Sequence, residues 1–216
     1  MIYRYIYYLL CWAYERIDQK IFLNKNGCYM TNRPTYLEDL ITSRRTTHNF
    51  IPNKIPEKSL IIEAIRIACW APNHHLTQPW RFYLLGQETI TSICELNRKI
   101  MKDTNEADIV DEKFKRWQNI PGWIIVTCQK SKDDTTYQED YAACCCAIQN
   151  LMLFLWSNEI GTKWSTGKVI RDDRCYDIAW IDRKSEQIVG LIWYGYPAET
   201  TNTLRKNIKQ VLTELP

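Results

Sequence analysis

The most regular signal along the chain is helical. Leu37, Leu40 and Ile41 recur at helical spacing after Thr35-Tyr36-Leu37-Glu38, a capping-box pattern that predicts a first helix running into Ser43-Arg44-Arg45. Leu60, Ile61, Ala64, Ile67 and Ala68 form the apolar stripe of a second, starting at Pro56 and stopped by Pro72. Ile90 to Lys102 and Ala107 to Gln118 read as two further helices across a polar joint. Tyr141 to Trp156 is apolar nearly all round, interrupted by Gln149 and Asn150, which predicts a buried helix ended at Gly161. Three short apolar runs read as strands: Arg81 to Leu85, Trp123 to Cys128 and Ile188 to Tyr194. Leu204 to Leu215 is polar, a helix or an arm. Three strands among many helices are too few for a doubly wound parallel sheet, so an α+β domain is expected.

The N-terminal 29 residues fit none of this. Ile2 to Tyr14 is aromatic and apolar but shorter than the about 20 residues that span a bilayer. It has no small-residue cleavage site either. Residues 1–29 read as an extension, either an added helix, a membrane-surface anchor or, the favoured reading, sequence upstream of a start at Met30, followed by one domain over 30–216. Nine cysteines, none in a Cys-x-x-Cys pair, read as buried thiols of a reducing compartment, and a cytoplasmic location is expected. Adjacent Cys144, Cys145 and Cys146 face different ways on a helix, so no metal site is expected from them. A net charge of +3 without a basic run gives no footprint for nucleic acid, and no membrane span is expected.

Several chemistries are excluded by what is missing. None of the seven glycines builds a Gly-x-Gly-x-x-Gly turn. Gly161 to Lys168 has one residue too many for a phosphate loop and ends on Val169 where a hydroxyl is needed. There is no nucleophile elbow and no His-Glu-x-x-His helix.

Three segments remain. Arg44 and Arg45, with Thr46 beside them, can clasp a phosphate through paired hydrogen bonds; equally, two arginines favour a helix C-terminus. Trp70-Ala71-Pro72-Asn73-His74-His75-Leu76-Thr77-Gln78-Pro79-Trp80 is a polar loop held between a helix and a strand. Gly161 to Gly167 can let backbone approach a flat ligand with Trp164 packed on its ring, or be a plain glycine-marked connection.

In order and wording these segments resemble the nitroreductase family of flavoproteins, and within it the small single-domain, YdjA-like NAD(P)H nitroreductases. The resemblance rests on Arg44-Arg45-Thr46, Ala71-Pro72-Asn73-His74 with Gln78-Pro79-Trp80, Trp164-Ser165-Thr166-Gly167, and Ile188-Val189-Gly190 leading to Tyr194-Gly195-Tyr196-Pro197. It implies an α+β fold with a central, mainly antiparallel sheet wrapped by helices. It also implies an interlocked homodimer with FMN at the subunit interface. Arg44, Arg45 and Thr46 would hold the FMN phosphate and ribityl end. Trp164, Ser165 and Thr166 would line the same flavin. His74 would reach the partner's flavin, and Trp70 stands where that branch has a flavin-contacting Arg. Residues 154–159 match a nicotinamide-nucleotide region.

The implied activity passes electrons from NAD(P)H, as cosubstrate, to a small oxidant such as a nitroaromatic or quinone. The mechanism is ping-pong, with no catalytic acid or base named. The alternative is a protein that stores or senses FMN without turnover.

Overall fold

The computed structural model describes residues 33–216 apart from residue 104. The extension over 1–29 and the start at Met30 therefore lie outside the described residues. The chain divides at Ser43/Arg44 into two units. In the first, helix α1 (Arg33–Ser43) is described from two residues before Thr35, so Thr35 is inside the helix and not its cap. Near the helix C-terminus the Thr42 hydroxyl bonds back to the Glu38 carbonyl at 2.7 Å.

The second unit is built on a four-stranded sheet of β1 (Trp80–Leu84), β2 (Gly122–Gln129), β3 (Gly161–Ser165) and β4 (Glu186–Gly195). The strand order is β1-β2-β4-β3, and every neighbouring pair is antiparallel. Helices α2 (Lys58–Ala68), α3 (Gln87–Lys102), α4 (Ala107–Gln118), α5 (Asp134–Ser157) and α6 (Asp173–Ala179) complete it.

Alternation along β2 explains why the sheet is covered on both sides. Successive side chains of a strand leave opposite faces. Ile124, Val126 and Cys128 enter one core layer with Ile61 and Ala64 of α2 and Ile148, Leu151 and Leu155 of α5. Trp123 and Ile125 enter the other with Ile90 and Ile93 of α3, Trp117 of α4 and Tyr176 of α6. With both faces buried, the strand reads as an unbroken apolar run. Each such side chain contributes roughly 1.5–3 kcal/mol by leaving water.

Further expectations from the sequence change: helix α2 starts at Lys58 with Glu57 at its cap position, so Pro56 lies just outside it. Helix α5 begins at Asp134, seven residues before Tyr141, because the Asp133 carboxylate accepts the Thr136 N–H at 2.7 Å and caps a polar first turn. It ends at Ser157, and Gly161, expected to end that helix, instead opens a fourth strand, β3, along the sheet edge. The C-terminal residues form an exposed arm with a single short turn at Ile208–Gln210. The seven described cysteines are all free thiols. Among the described residues, no helix is long and apolar enough to cross a membrane.

Candidate functional site

The segment after Ser43 runs along the open edge of β3. Thr46 bridges Thr162 in parallel, and the Thr47 N–H donates to the Thr162 carbonyl at 2.9 Å. Further on, Ile51 N–H donates to Tyr196 O at 2.9 Å, and Ala198 N–H donates to Asn49 O at 3.0 Å. The segment is thereby tied to β3 at Thr46–Thr47 and to the residues that follow β4 at Asn49–Ile51. Glycine at 161 is a steric requirement here: a Cβ there would lie 2.2 Å from the Thr47 Oγ1. Arg44, Arg45 and Thr46 are thus fixed beside the strand that carries Trp164 and Ser165.

The electrostatics of that edge favour an anion. Arg44 is half-buried, and burial, then repulsion from Arg205 and Arg45, pulls its guanidinium below the ordinary arginine value. Its Arg45 neighbour donates from Nη1 to the Arg44 carbonyl at 2.9 Å. Like charges at Arg205 and Arg45 act on Arg44, so a negative group beside Arg44 is favoured. Arg205 comes from the C-terminal arm and was not among the sequence candidates. It lies 161 positions from Arg44, and no motif links the two.

His48 stands at the next turn of this edge, with its Nδ1 3.4 Å from Lys163 Nζ. Burial, then Lys163 and Arg116, lowers its pKa, opposed by Glu199.

The three residues of the β3 segment differ in what they present. Trp164 turns inward, its Nε1 donating to the Val189 carbonyl at 3.4 Å, where Gly190 leaves room for the ring. A Cβ at Gly190 would lie 2.0 Å from that nitrogen. The indole therefore packs on the core rather than standing free for a ligand ring. Ser165 is half-buried and Thr166 is exposed, just before Gly167 and the short turn Lys168–Arg171.

The loop between α2 and β1 is a separate constellation. Asn73 ties it together: its amide donates to the Thr77 hydroxyl at 2.9 Å, and its oxygen accepts the Gln78 N–H at 2.6 Å. Thr77 in turn donates to Asp140, and His74 Nδ1 lies 2.7 Å from the Glu139 carboxylate on α5. His75, Leu76 and Gln78 all have φ between 45° and 55°. Left-handed backbone at non-glycine residues costs about 1–2 kcal/mol each and gathers at functional loops. The result shows Trp70 and Leu76 to solvent, at 78% and 77% exposure. Among the described contacts, none brings Trp70 or His74 to Arg44–Thr46 or to β3 within the same chain.

A four-stranded antiparallel sheet flanked by helices defines an α+β domain. Residues 41–196 match the model of the nitroreductase family, and the chain belongs to that family. It is 29% identical over 189 residues to the "Putative NAD(P)H nitroreductase YfhC" of Bacillus subtilis, covering 83% of this chain and 94% of that protein.

Among solved structures it resembles a nitroreductase-like family protein from Bacillus cereus, at 26% identity and TM-score 0.71. That match covers 83% of this chain and 95% of the other. A nitroreductase-type protein from Desulfovibrio desulfuricans, solved in complex with FMN, shares the fold at 18% identity and TM-score 0.68, over 86% and 99% of the two chains.

Proposed function

We propose that this chain is an FMN-dependent oxidoreductase that carries electrons from NAD(P)H to a small oxidant, such as a nitroaromatic or quinone, by a ping-pong mechanism. It would belong to the small single-domain branch of the family and work in the cytoplasm as a homodimer with FMN at the interface. The observation that carries the reading is the arginine edge, where Arg44, Arg45 and Arg205 converge beside the Thr46–Thr162 bridge. A phosphomonoester would be drawn to Arg44 by the positive charge gathered around it.

The residues fit the cofactor. Arg44, Arg45 and Arg205 would neutralise the phosphate, with the Thr46 hydroxyl as a further partner. The backbone of Trp164 and the Ser165-Thr166 segment would line the ring, with the Trp164 indole buttressing from behind. Bound FMN supplies hydride and electron transfer, while the protein positions the substrates and excludes water. The outward-facing Trp70 and Leu76, with half-exposed Ile62 on α2, support burial against a partner subunit. His74, oriented by Glu139, would reach the partner's flavin from that loop.

The test is flavin titration of the FMN-free protein and its Arg44→Ala variant. Arg44→Ala should weaken FMN binding tenfold or more while leaving thermal stability nearly unchanged. Lower stability with unchanged FMN affinity would mean that Arg44 serves the fold and not the cofactor.

A further inference from the structure

A second concentration of positive charge lies on the other face of β3. Trp164 enters one core layer, whereas the Lys163 ammonium stands 4.9 Å from the ring centre of Trp193, in the other. There a cavity of about 430 Å³ is walled by Lys163, Ser165 and Lys168 on one side and Lys113 and Arg116 of α4 on another. Trp117 and Trp193 form its aromatic surface.

No acidic side chain lines the cavity among the described residues. None of its four cations enters an ion pair among those residues either. Burial, then Arg116, pulls Lys113 below the ordinary lysine value, and burial with Arg116 and Lys113 does the same to Lys163. Trp117 and Trp193 are almost fully buried and pack edge to face with ring centres 4.9 Å apart, which gives the cavity a rigid aromatic wall. Four cations around a cavity whose described lining holds no carboxylate favour an anionic ligand.

We propose that this cavity receives the phosphate groups of the nicotinamide dinucleotide that reduces the enzyme; the proposal rests on the reductase reading above. Two features direct it to that ligand. The flavin's own phosphate already has a separate guanidinium cluster at Arg44. Ser165 belongs both to the cavity wall and to the segment that would line the flavin, so a ligand anchored here has the ring within its span. The volume lies within the usual range of small-molecule sites.

The experiment uses the FMN-loaded enzyme and its Lys113→Gln and Lys168→Gln variants, with Lys58→Gln on α2 as a charge-matched control. Binding of 2′,5′-ADP is followed by calorimetry. Anaerobic flavin bleaching by NADPH and by NADH gives the KM and kcat of reduction. The expected result is a rise of tenfold or more in both the 2′,5′-ADP Kd and the NADPH KM for each cavity variant, kcat changing little and the control matching the parent. Loss confined to NADPH assigns the cavity to the 2′-phosphate, and equal loss for NADH assigns it to the diphosphate. Parental KM values for both nucleotides in both variants would overturn the proposal. So would binding of inorganic pyrophosphate in the cavity without competition against NADPH. An enzyme that holds FMN but is bleached by neither nucleotide would overturn the reductase reading itself, a result distinct from unchanged KM values.

Discussion

Replacing Gly161 with alanine separates the fold from the site. The new Cβ would lie 2.2 Å from the Thr47 Oγ1, 2.9 Å from its Cβ and 3.1 Å from its Cγ2. Gly161 has no left-handed φ, so alanine meets a neighbour and not a forbidden backbone. The clash pushes the Arg44–Thr47 segment off the edge of β3 and threatens the 2.9 Å bond from Thr47 N–H to Thr162 O. Overpacking costs roughly 1–3 kcal/mol, and a lost backbone hydrogen bond about 1 kcal/mol. Alanine's smaller unfolded-state entropy offsets roughly 0.4–1 kcal/mol of this. The net expectation is a loss of about 1–3 kcal/mol, a fall in Tm of roughly 3–10 °C for a domain of this size.

The flavin should suffer more than the fold. Displacing the arginines sacrifices at least one charge-assisted contact of about 1.5–3 kcal/mol, an expected weakening of FMN binding of roughly 10–100-fold. Adding Thr47→Ala removes the two Thr47 side-chain atoms beyond Cβ that the new methyl meets, so the double variant should recover part of both losses. Urea unfolding and FMN fluorescence titration on the parent, both single variants and the double variant measure the coupling. A Gly161→Ala protein that is destabilised yet binds FMN with parental affinity would refute the assignment of the 44–47 edge to the cofactor.

Two further outcomes are expected. Arg205→Ala should weaken FMN binding about tenfold, while the FMN-free protein keeps or gains thermal stability because a charge repelling Arg44 is gone; unchanged FMN affinity would remove Arg205 from the site. Tyr83 donates to both Glu186 oxygens at 2.9 Å, and burial, then Glu186, pushes its pKa up to about 12. The folded protein therefore keeps this proton from pH 10 to about 12 while the unfolded chain releases it, so stability present below pH 10 is lost across that window. Tyr83→Phe should give a shallower decline of Tm with pH there, and an unchanged slope would exclude this phenol as a contributor.

What the sequence reveals and what it hides follow from burial and from distance along the chain. Helix α4 is legible to both ends because Val110 and Trp117 repeat at helical spacing among charged residues. Strands β2 and β4 are legible because helices cover both faces of the sheet, which turns alternation into continuous apolar runs. The edge strand β3 is hidden. Gly-Thr-Lys-Trp-Ser has no apolar run, and its strand character comes from pairing with β4 and with the segment at Thr46. The start of α5 is hidden behind a polar first turn whose capping residue, Asp133, lies outside the apolar pattern.

At the site, Arg44, Arg45 and Thr46 are legible as a contiguous basic-hydroxyl motif. Arg205 is not, because only the C-terminal arm brings it back to the same edge. The cavity cations are equally hidden: Lys113 and Arg116 share a helix face, but Lys163 and Lys168 reach them only through the sheet. Trp164 shows the opposite limit. An aromatic beside small residues suggests a ring-stacking partner, and its ring instead fills the space that Gly190 leaves.

Whether this chain reduces small oxidants through FMN is decided by the visible absorption spectrum of the purified protein reconstituted with FMN, followed anaerobically on addition of NADPH or NADH. A flavin reductase gives a bound flavin spectrum that bleaches with the nucleotide and returns when a nitroaromatic or quinone is added. A protein that stays colourless after reconstitution, or a bound flavin that neither nucleotide bleaches, would contradict the reductase reading.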